Sequence, residues 1–375
     1  HNMYEDGAAE LRCALDLAVL TAVLERASKL RGPVLIHVVT RKGKGYEPAE
    51  CDSTTWHGIS GGSGSTPGRS FTRTFSEAML RLGERDSRIA AVTAAMRDGT
   101  GLADFAKRFP DRFFDVGIAE QHAVTFACGL AFGGMKPVVA IYSTFMQRAL
   151  DQLIHDAALQ RSPVVFALDR AGLVGEDGPT HHGVFDIPLI LPIPGVRMAC
   201  PRDCAMLDRL MDEAVAFSEG PTVVRYPRGA GPAGLPEPPD SVQPGSGQLL
   251  RDGTDLLIVA CGVMAGPALE AAADLEAEGR SVAVFDPVWL KPAPEAELVS
   301  LAVRCGAVLI AEDGAARGGF GEHVSALLAS RHPGVRTSIV AVPDSFQPHA
   351  GRERLLASAG LDGPGLAAAA RRLLA

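Results

Sequence analysis

The sequence has no long hydrophobic run. Its apolar stretches are strand-length, far short of the ~20 residues that a membrane-spanning helix needs, so no membrane partner is expected. A Lys/Arg-rich run is missing too. The 36 basic and 44 acidic side chains are spread along 375 residues and leave a formal net charge of −8, which argues against nucleic acid as a partner. The first residues do not carry the charged, apolar and cleavage regions of a signal peptide. Cysteine is sparse: seven are scattered along the chain. Cys200 and Cys204 lie close together, but no second close pair completes a zinc site. Free thiols in a reducing cytoplasm are the expectation. No Gly-x-Gly-x-x-Gly turn occurs, which argues against a nicotinamide dehydrogenase.

What is present is alternation. A chain of this length predicts two or three domains. Leu11, Leu15, Val19, Leu20, Val23 and Leu24 recur at helical spacing, and residues 33–40 read as a buried strand. Residues 58–70 have the Gly/Ser composition of a linker. From Phe71 onward helices alternate with apolar runs at Ile89–Val92, Phe114–Val116, Val138–Tyr142, Val164–Leu168, Val196–Met198 and Thr222–Arg225. A Pro/Gly-rich stretch at 233–248 reads as a second linker. Beyond it come Leu256–Ala260, Val282–Phe285, Val308–Ile310 and Ile339–Val342. Such alternation predicts an α/β protein with two doubly wound parallel-sheet domains, at 71–232 and 249–375.

Polar residues gather just after the strands of the first of these domains. Glu120 follows the run Phe114–Val116 through Gly117 and opens a helix of small residues. Tyr142, Phe145 and Arg148 follow the next strand, and Arg170, Asp177, His181 and His182 the one after, while Arg228 closes the last. In a parallel sheet all of these lie at the carboxyl edge, where ligands bind. Singly, each has an ordinary explanation. Glu120 suits a helix N-terminus, Arg148 is spaced to pair with Asp151 one turn on, and Phe145 suits a core. Together, several guanidinium groups near one carboxylate and two His point to an anionic, phosphate-bearing substrate. Arg317-Gly318-Gly319-Phe320-Gly321, opening a later helix, is a further candidate anion site.

The runs FDVGIAEQHAV, KPVVAIYSTFMQRALDQLIHD, DRAGLVGEDGPTHHGVFD and VVRYPRG resemble the 1-deoxy-D-xylulose-5-phosphate synthase family of transketolase-like thiamine diphosphate enzymes. RKGKGYEPAE and Trp56-His57-Gly58 resemble the end of that family's first domain. The resemblance implies a pyrimidine-binding domain at 71–232, a C-terminal domain at 249–375, and a remnant of the diphosphate-binding domain at 1–57. It implies Glu120, His181 and His57 as catalytic residues and Glu120, Phe145 and Ile118 as contacts to the cofactor's pyrimidine. It implies Tyr142, Arg148, Arg170, Asp177, His181 and Arg228 around pyruvate and glyceraldehyde 3-phosphate, with Arg228 on the phosphate. Thiamine diphosphate, Mg²⁺, a homodimer and a cytoplasmic setting follow from the same resemblance. The family's Gly-Asp-Gly cofactor motif is absent from the sequence. A truncated form, or a second polypeptide supplying that domain, is therefore expected. Two rivals follow: the β subunit of a 2-oxo acid dehydrogenase, and a catalytically silent dimerising fragment. The loop Asp169-Arg170-Ala171-Gly172 with Asp177-Gly178-Pro179-Thr180-His181 follows the synthase pattern rather than that of the β subunit.

Overall fold

A computed structural model describes residues 9–11, 17–40, 43–51 and 69–375, which fall into two compact units that divide after Ser65. In the first unit β1 (Ala9–Leu11) pairs in parallel with β2 (Ile36–Val38), and the helix Leu17–Ala27 joins them. Leu11 is therefore a strand residue rather than the start of the expected helix, and Leu15 lies outside the described residues. Strand β2 is not the buried strand its composition predicts, since Leu35 is 71% exposed and Ala49 alone is buried among this unit's described residues. A three-residue strand pair beside one helix has too little apolar surface to enclose a core.

The second unit holds two sheets. Its strands are β3 (Ile89–Thr93), β4 (Phe113–Asp115), β5 (Lys136–Tyr142), β6 (Val165–Asp169), β7 (Arg197–Ala199), β8 (Thr222–Arg225), β9 (Gln248–Arg251), β10 (Leu256–Ala260), β11 (Val282–Asp286), β12 (Trp289–Lys291), β13 (Ala307–Ala315) and β14 (Arg336–Val342). The first sheet runs β12-β7-β8-β6-β5-β3-β4 and the second β14-β13-β10-β11-β9. All pairings within β3 to β8 are parallel. Strands β3 and β6 are buried at every residue, and such continuous apolar runs are what a sheet covered on both faces requires. Strand β4 is the edge of its sheet and is only half-buried, which corrects the expectation of a buried strand at Phe114–Val116.

The covering helices follow from local sequence. In the helix Phe71–Arg85, Phe71, Phe75, Ala78, Met79 and Leu82 recur on one stripe and are buried. Ser70 caps it, its Oγ accepting from the Arg73 N–H at 3.2 Å. The helix Cys204–Ala216 packs beside it, capped by Asp203, whose Oδ1 accepts from the Met206 N–H at 2.7 Å. On the other face of the sheet lies the helix Glu120–Phe132, which buries Ala123, Val124, Ala127, Cys128 and Ala131.

Strand β12 follows the apolar run Val282–Phe285 yet pairs antiparallel with β7 of the first sheet. Trp289 at its start is fully buried and donates its indole N–H to Val242 O at 3.1 Å. Each sheet thus ends in an antiparallel strand, β12 and β9, of three or four residues. Both are too short to show a period in sequence.

Candidate active site

Strand β4 ends in Asp115, whose carboxylate accepts from the N–H groups of Ala95 (2.8 Å) and Gly117 (3.0 Å) and so fixes the turn. Gly117 has φ +71, a conformation that costs little without a Cβ. The turn delivers Glu120 to the first position of its helix, 3% exposed. Arg148 donates from Nη1 to Glu120 Oε1 at 2.9 Å. The guanidinium thus reaches across to another element instead of pairing with Asp151 one turn on. It also lies over the Phe145 ring, 4.9 Å from its centroid.

Phe145 joins the other groups. Its ring is stacked with Tyr142 (centroids 5.8 Å, interplanar 11°) and meets His181 edge-on at 5.6 Å. The guanidinium of Arg170 lies 4.0 Å above the opposite partner of that stack, Tyr142. Arg170 has φ +61, unusual for a residue with a Cβ, and is held there by Asp169. The buried Asp169 accepts from the Arg170 N–H (2.6 Å), from Arg170 Nη1 (2.7 Å) and from Thr72 Oγ1 (2.9 Å). Burial pushes its carboxyl up to about 6, against the pull of Arg170. Burial likewise raises the Tyr142 hydroxyl, opposed by Arg170. Arg170 Nε is buried without a hydrogen-bond partner among the described residues.

The two adjacent His part ways. His182 is buried, accepts the Val174 N–H on Nδ1 at 3.0 Å, and is held below its usual pKa by burial. His181 is part-exposed, with Nδ1 2.8 Å from Thr180 Oγ1, and faces Phe145. Arg228 donates from Nη1 to Asp177 at 2.7 Å, both side chains being about two-fifths exposed. Ile118 is 80% exposed on the turn before Glu120. His57 lies outside the described residues. The structure therefore links Glu120, Arg148, Phe145, Tyr142, Arg170 and His181 in one set of contacts at the carboxyl edge and pairs Arg228 with Asp177 beside it. A cleft of about 580 Å³ lies elsewhere, lined by Phe185, Pro188, Ala315, Arg317 and Phe346, and contains none of these residues except their neighbour Gln147.

The Arg317–Gly321 stretch does not offer its amides to an external anion. The Phe320 and Gly321 N–H groups donate to the buried Glu312 (2.8 and 3.0 Å), and Gly318 N–H donates to Glu322 (2.7 Å). The chain's own carboxylates fill the place an anion would take.

Two family profiles match: "Transketolase, pyrimidine binding domain" over residues 68–233 and "Transketolase, C-terminal domain" over residues 245–366. A solved structure titled "Split gene transketolase, inactive beta4 tetramer" superposes with a TM-score of 0.74 at 33% identity, covering 82% of this chain and 98% of that one. The chain belongs to the transketolase-like family. Among its relatives, the 1-deoxy-D-xylulose-5-phosphate synthase of Syntrophotalea carbinolica is 49% identical over 369 residues. A synthase of the same name from Geobacter sulfurreducens is 46% identical over 371 residues. Each alignment covers 96% of this chain but 58% of the relative. The chain thus spans under two thirds of the length of the curated relatives it matches.

Within this transketolase-like frame, the buried carboxylate of Glu120 and the partly exposed ring of Phe145 both contact Arg148. No group of three or more His, Cys, Asp or Glu that could hold a metal occurs among the described residues. Sequence reasoning missed the residues of other elements that brace this edge, such as Asp313 and Arg352. Both are distant in sequence, and only the packing of the two sheets brings them near.

Proposed function

We propose that this chain is the pyrimidine-binding and C-terminal part of a 1-deoxy-D-xylulose-5-phosphate synthase. The overall reaction joins pyruvate to D-glyceraldehyde 3-phosphate and gives 1-deoxy-D-xylulose 5-phosphate and CO₂. The observation that carries this reading is Glu120 itself: a buried carboxylate held by Arg148 next to the Tyr142–Phe145 stack, in a chain 49% identical to such a synthase. The cofactor supplies, when bound, a carbanion and an electron sink for decarboxylation.

The chain's residues then have defined tasks. Glu120 would hold the cofactor's aminopyrimidine by hydrogen bonding and would be the group that exchanges a proton with it. Phe145 offers its ring face to the same heterocycle, and Ile118 adds exposed apolar surface on the turn. Arg148 uses one N–H on Glu120, which leaves four donors for a carboxylate or phosphate oxygen. Arg170 supplies a second fixed guanidinium, with Nε unpartnered. Tyr142, Asp177 and His181 line the pocket, and His181 is the second catalytic residue of this chain. Arg228 binds the acceptor's phosphate. Its ion pair with Asp177 is half-exposed, and such pairs open at a cost under about 1 kcal/mol. His57 adds a second His from the preceding segment. The diphosphate and Mg²⁺ belong to the family's diphosphate-binding domain, of which this chain carries only a remnant at 1–57. A homodimer in the cytoplasm completes the reading.

Incubation with thiamine diphosphate, Mg²⁺, pyruvate and glyceraldehyde 3-phosphate tests it, with CO₂ release and sugar phosphate as readouts. Release of CO₂ that depends on both cofactors is the expected result for the chain joined by its diphosphate-binding part; a complete assembly that turns over neither substrate defeats the proposal. A second reading is a folded, self-associating module that is silent alone. It draws on the neighbour whose title calls it inactive. CO₂ release by this chain without any partner would defeat that one.

A further inference from the structure

The segment 172–183 carries Asp177 and His181 but has no helix or strand of its own between its two isolated bridges. Elements of the second sheet's domain hold it in place. Asp313, 2% exposed in β13, accepts the Leu173 N–H on Oδ1 at 3.0 Å. Arg352 donates from Nε to Leu173 O at 2.9 Å and from Nη2 to Asp313 Oδ2 at 3.0 Å. The backbone donor and acceptor of one residue, Leu173, are thus both taken by a single charged pair. The fit is close: a Cβ at Gly172 would collide with the Asp313 carboxylate, and one at Gly178 with the His349 ring. The backbone of Asp313 is itself tied to the first sheet, since its carbonyl accepts from Arg225 Nη2 at 3.0 Å. Arg225 in turn pairs with the buried Asp186 at 2.8 Å.

We propose that Arg352 and Asp313 are positioning residues: they clamp Leu173 so that the loop 172–183 presents Asp177 and His181 to the phosphate-bearing substrate. The inference rests on the reading of those two residues as substrate-pocket residues. The second domain thereby takes part in the reaction without touching the reacting atoms. The clamp suits a planar guanidinium, whose Nε and Nη2 donate in parallel to two acceptors, and an ammonium cannot reproduce that fork.

The test compares the full chain with Arg352→Ala and Arg352→Lys by amide hydrogen exchange, and measures binding of glyceraldehyde 3-phosphate by calorimetry. Exchange in 172–183 is expected to rise at least about tenfold in both variants while β5 and β10 keep wild-type protection. Affinity for glyceraldehyde 3-phosphate is expected to fall at least about fivefold, with Lys rescuing the loss only in part. Arg352→Lys keeps the charge and the stem, so it decides the matter if the Ala variant does not fold. Unchanged exchange of the loop in the folded variants overturns the clamp. Faster exchange with unaltered affinity overturns the positioning role. A wild-type chain, joined by its diphosphate-binding part, that binds no glyceraldehyde 3-phosphate defeats the functional reading instead, and the exchange data still decide whether the clamp holds the loop.

Discussion

Glu120 and Glu312 are both buried carboxylates, Glu120 as the first residue of its helix and Glu312 within β13, facing the start of the helix Phe320–Arg331, and they are used differently. Glu312 turns both oxygens onto its own chain, accepting the Phe320 and Gly321 N–H groups. Its helix N-terminus is closed, and burial pushes its carboxyl up to about 7 against those hydrogen bonds. Glu120 is met by a side chain, Arg148, that is itself 46% exposed and reaches out to the sheet edge. The first arrangement consumes a charge to end a loop. The second keeps a carboxylate within reach of whatever enters beside Phe145. Their partners set the two uses apart.

Substitution is the sharpest way to break that comparison. Glu120→Gln in the complete enzyme is expected to lower CO₂ release by on the order of 10²–10⁴-fold, the usual range for a lost acid–base group, with the melting midpoint kept. Glu312→Gln is expected to do the reverse, keeping turnover and changing stability. Near wild-type rates for Glu120→Gln would remove the distinction.

The next effect in size separates the substrates. Arg228→Ala is expected to raise KM for glyceraldehyde 3-phosphate by roughly 10- to 100-fold, as befits a charged hydrogen bond, and to leave pyruvate nearly unaffected. Steady-state kinetics with each substrate varied in turn checks this, and equal effects on both would strip Arg228 of its phosphate role.

The smallest effect is on pH dependence. Asp169 and Asp286 are pushed up to about 6 and Glu312 to about 7, chiefly by burial. A carboxyl whose folded pKa is raised binds its proton more tightly in the native state than in the unfolded one. Its stability contribution is full below the unfolded pKa and is lost as pH rises through the folded one. The melting midpoint is therefore expected to fall between about pH 4 and pH 7.5, and Glu312→Gln to flatten the upper part of that decline. The share of Glu312 is roughly 3 kcal/mol by the pKa difference from its model-compound value of 4.5. Calorimetric scans over this pH range give the slope, and a midpoint that climbs through pH 6 would contradict it.

The sequence was most legible where burial leaves a long apolar run. Strands β3, β5, β6, β8, β10 and β11 all fall on such runs because each is covered on both faces. Strands β9 and β12 escaped because three or four residues show no period, and their pairing is decided by β11 and β7. In the candidate site, the clustering of Tyr142, Phe145, Arg148 and Arg170 at one sheet edge was readable from strand ends. Partners were not. Spacing along the chain suggested Asp151 for Arg148, whereas the fold supplies Glu120, 28 residues away. Glu312 pre-empts the amides of Phe320 and Gly321 by the same kind of contact, which the Gly-rich stretch could not reveal.

Strand β12 has one more consequence. It belongs by sequence to the second domain and by hydrogen bonding to the first sheet, with the fully buried Trp289 at the join. Apolar residues of both sheets also form shared clusters, such as Phe71, Tyr226, Leu256 and Trp289 together. Neither half can melt while the other stays intact without baring β7 and the indole. The boundary in the chain is thus not a boundary in the packing: the two sheets lie in one compact unit, and a single melting transition for both is the expected result of calorimetry.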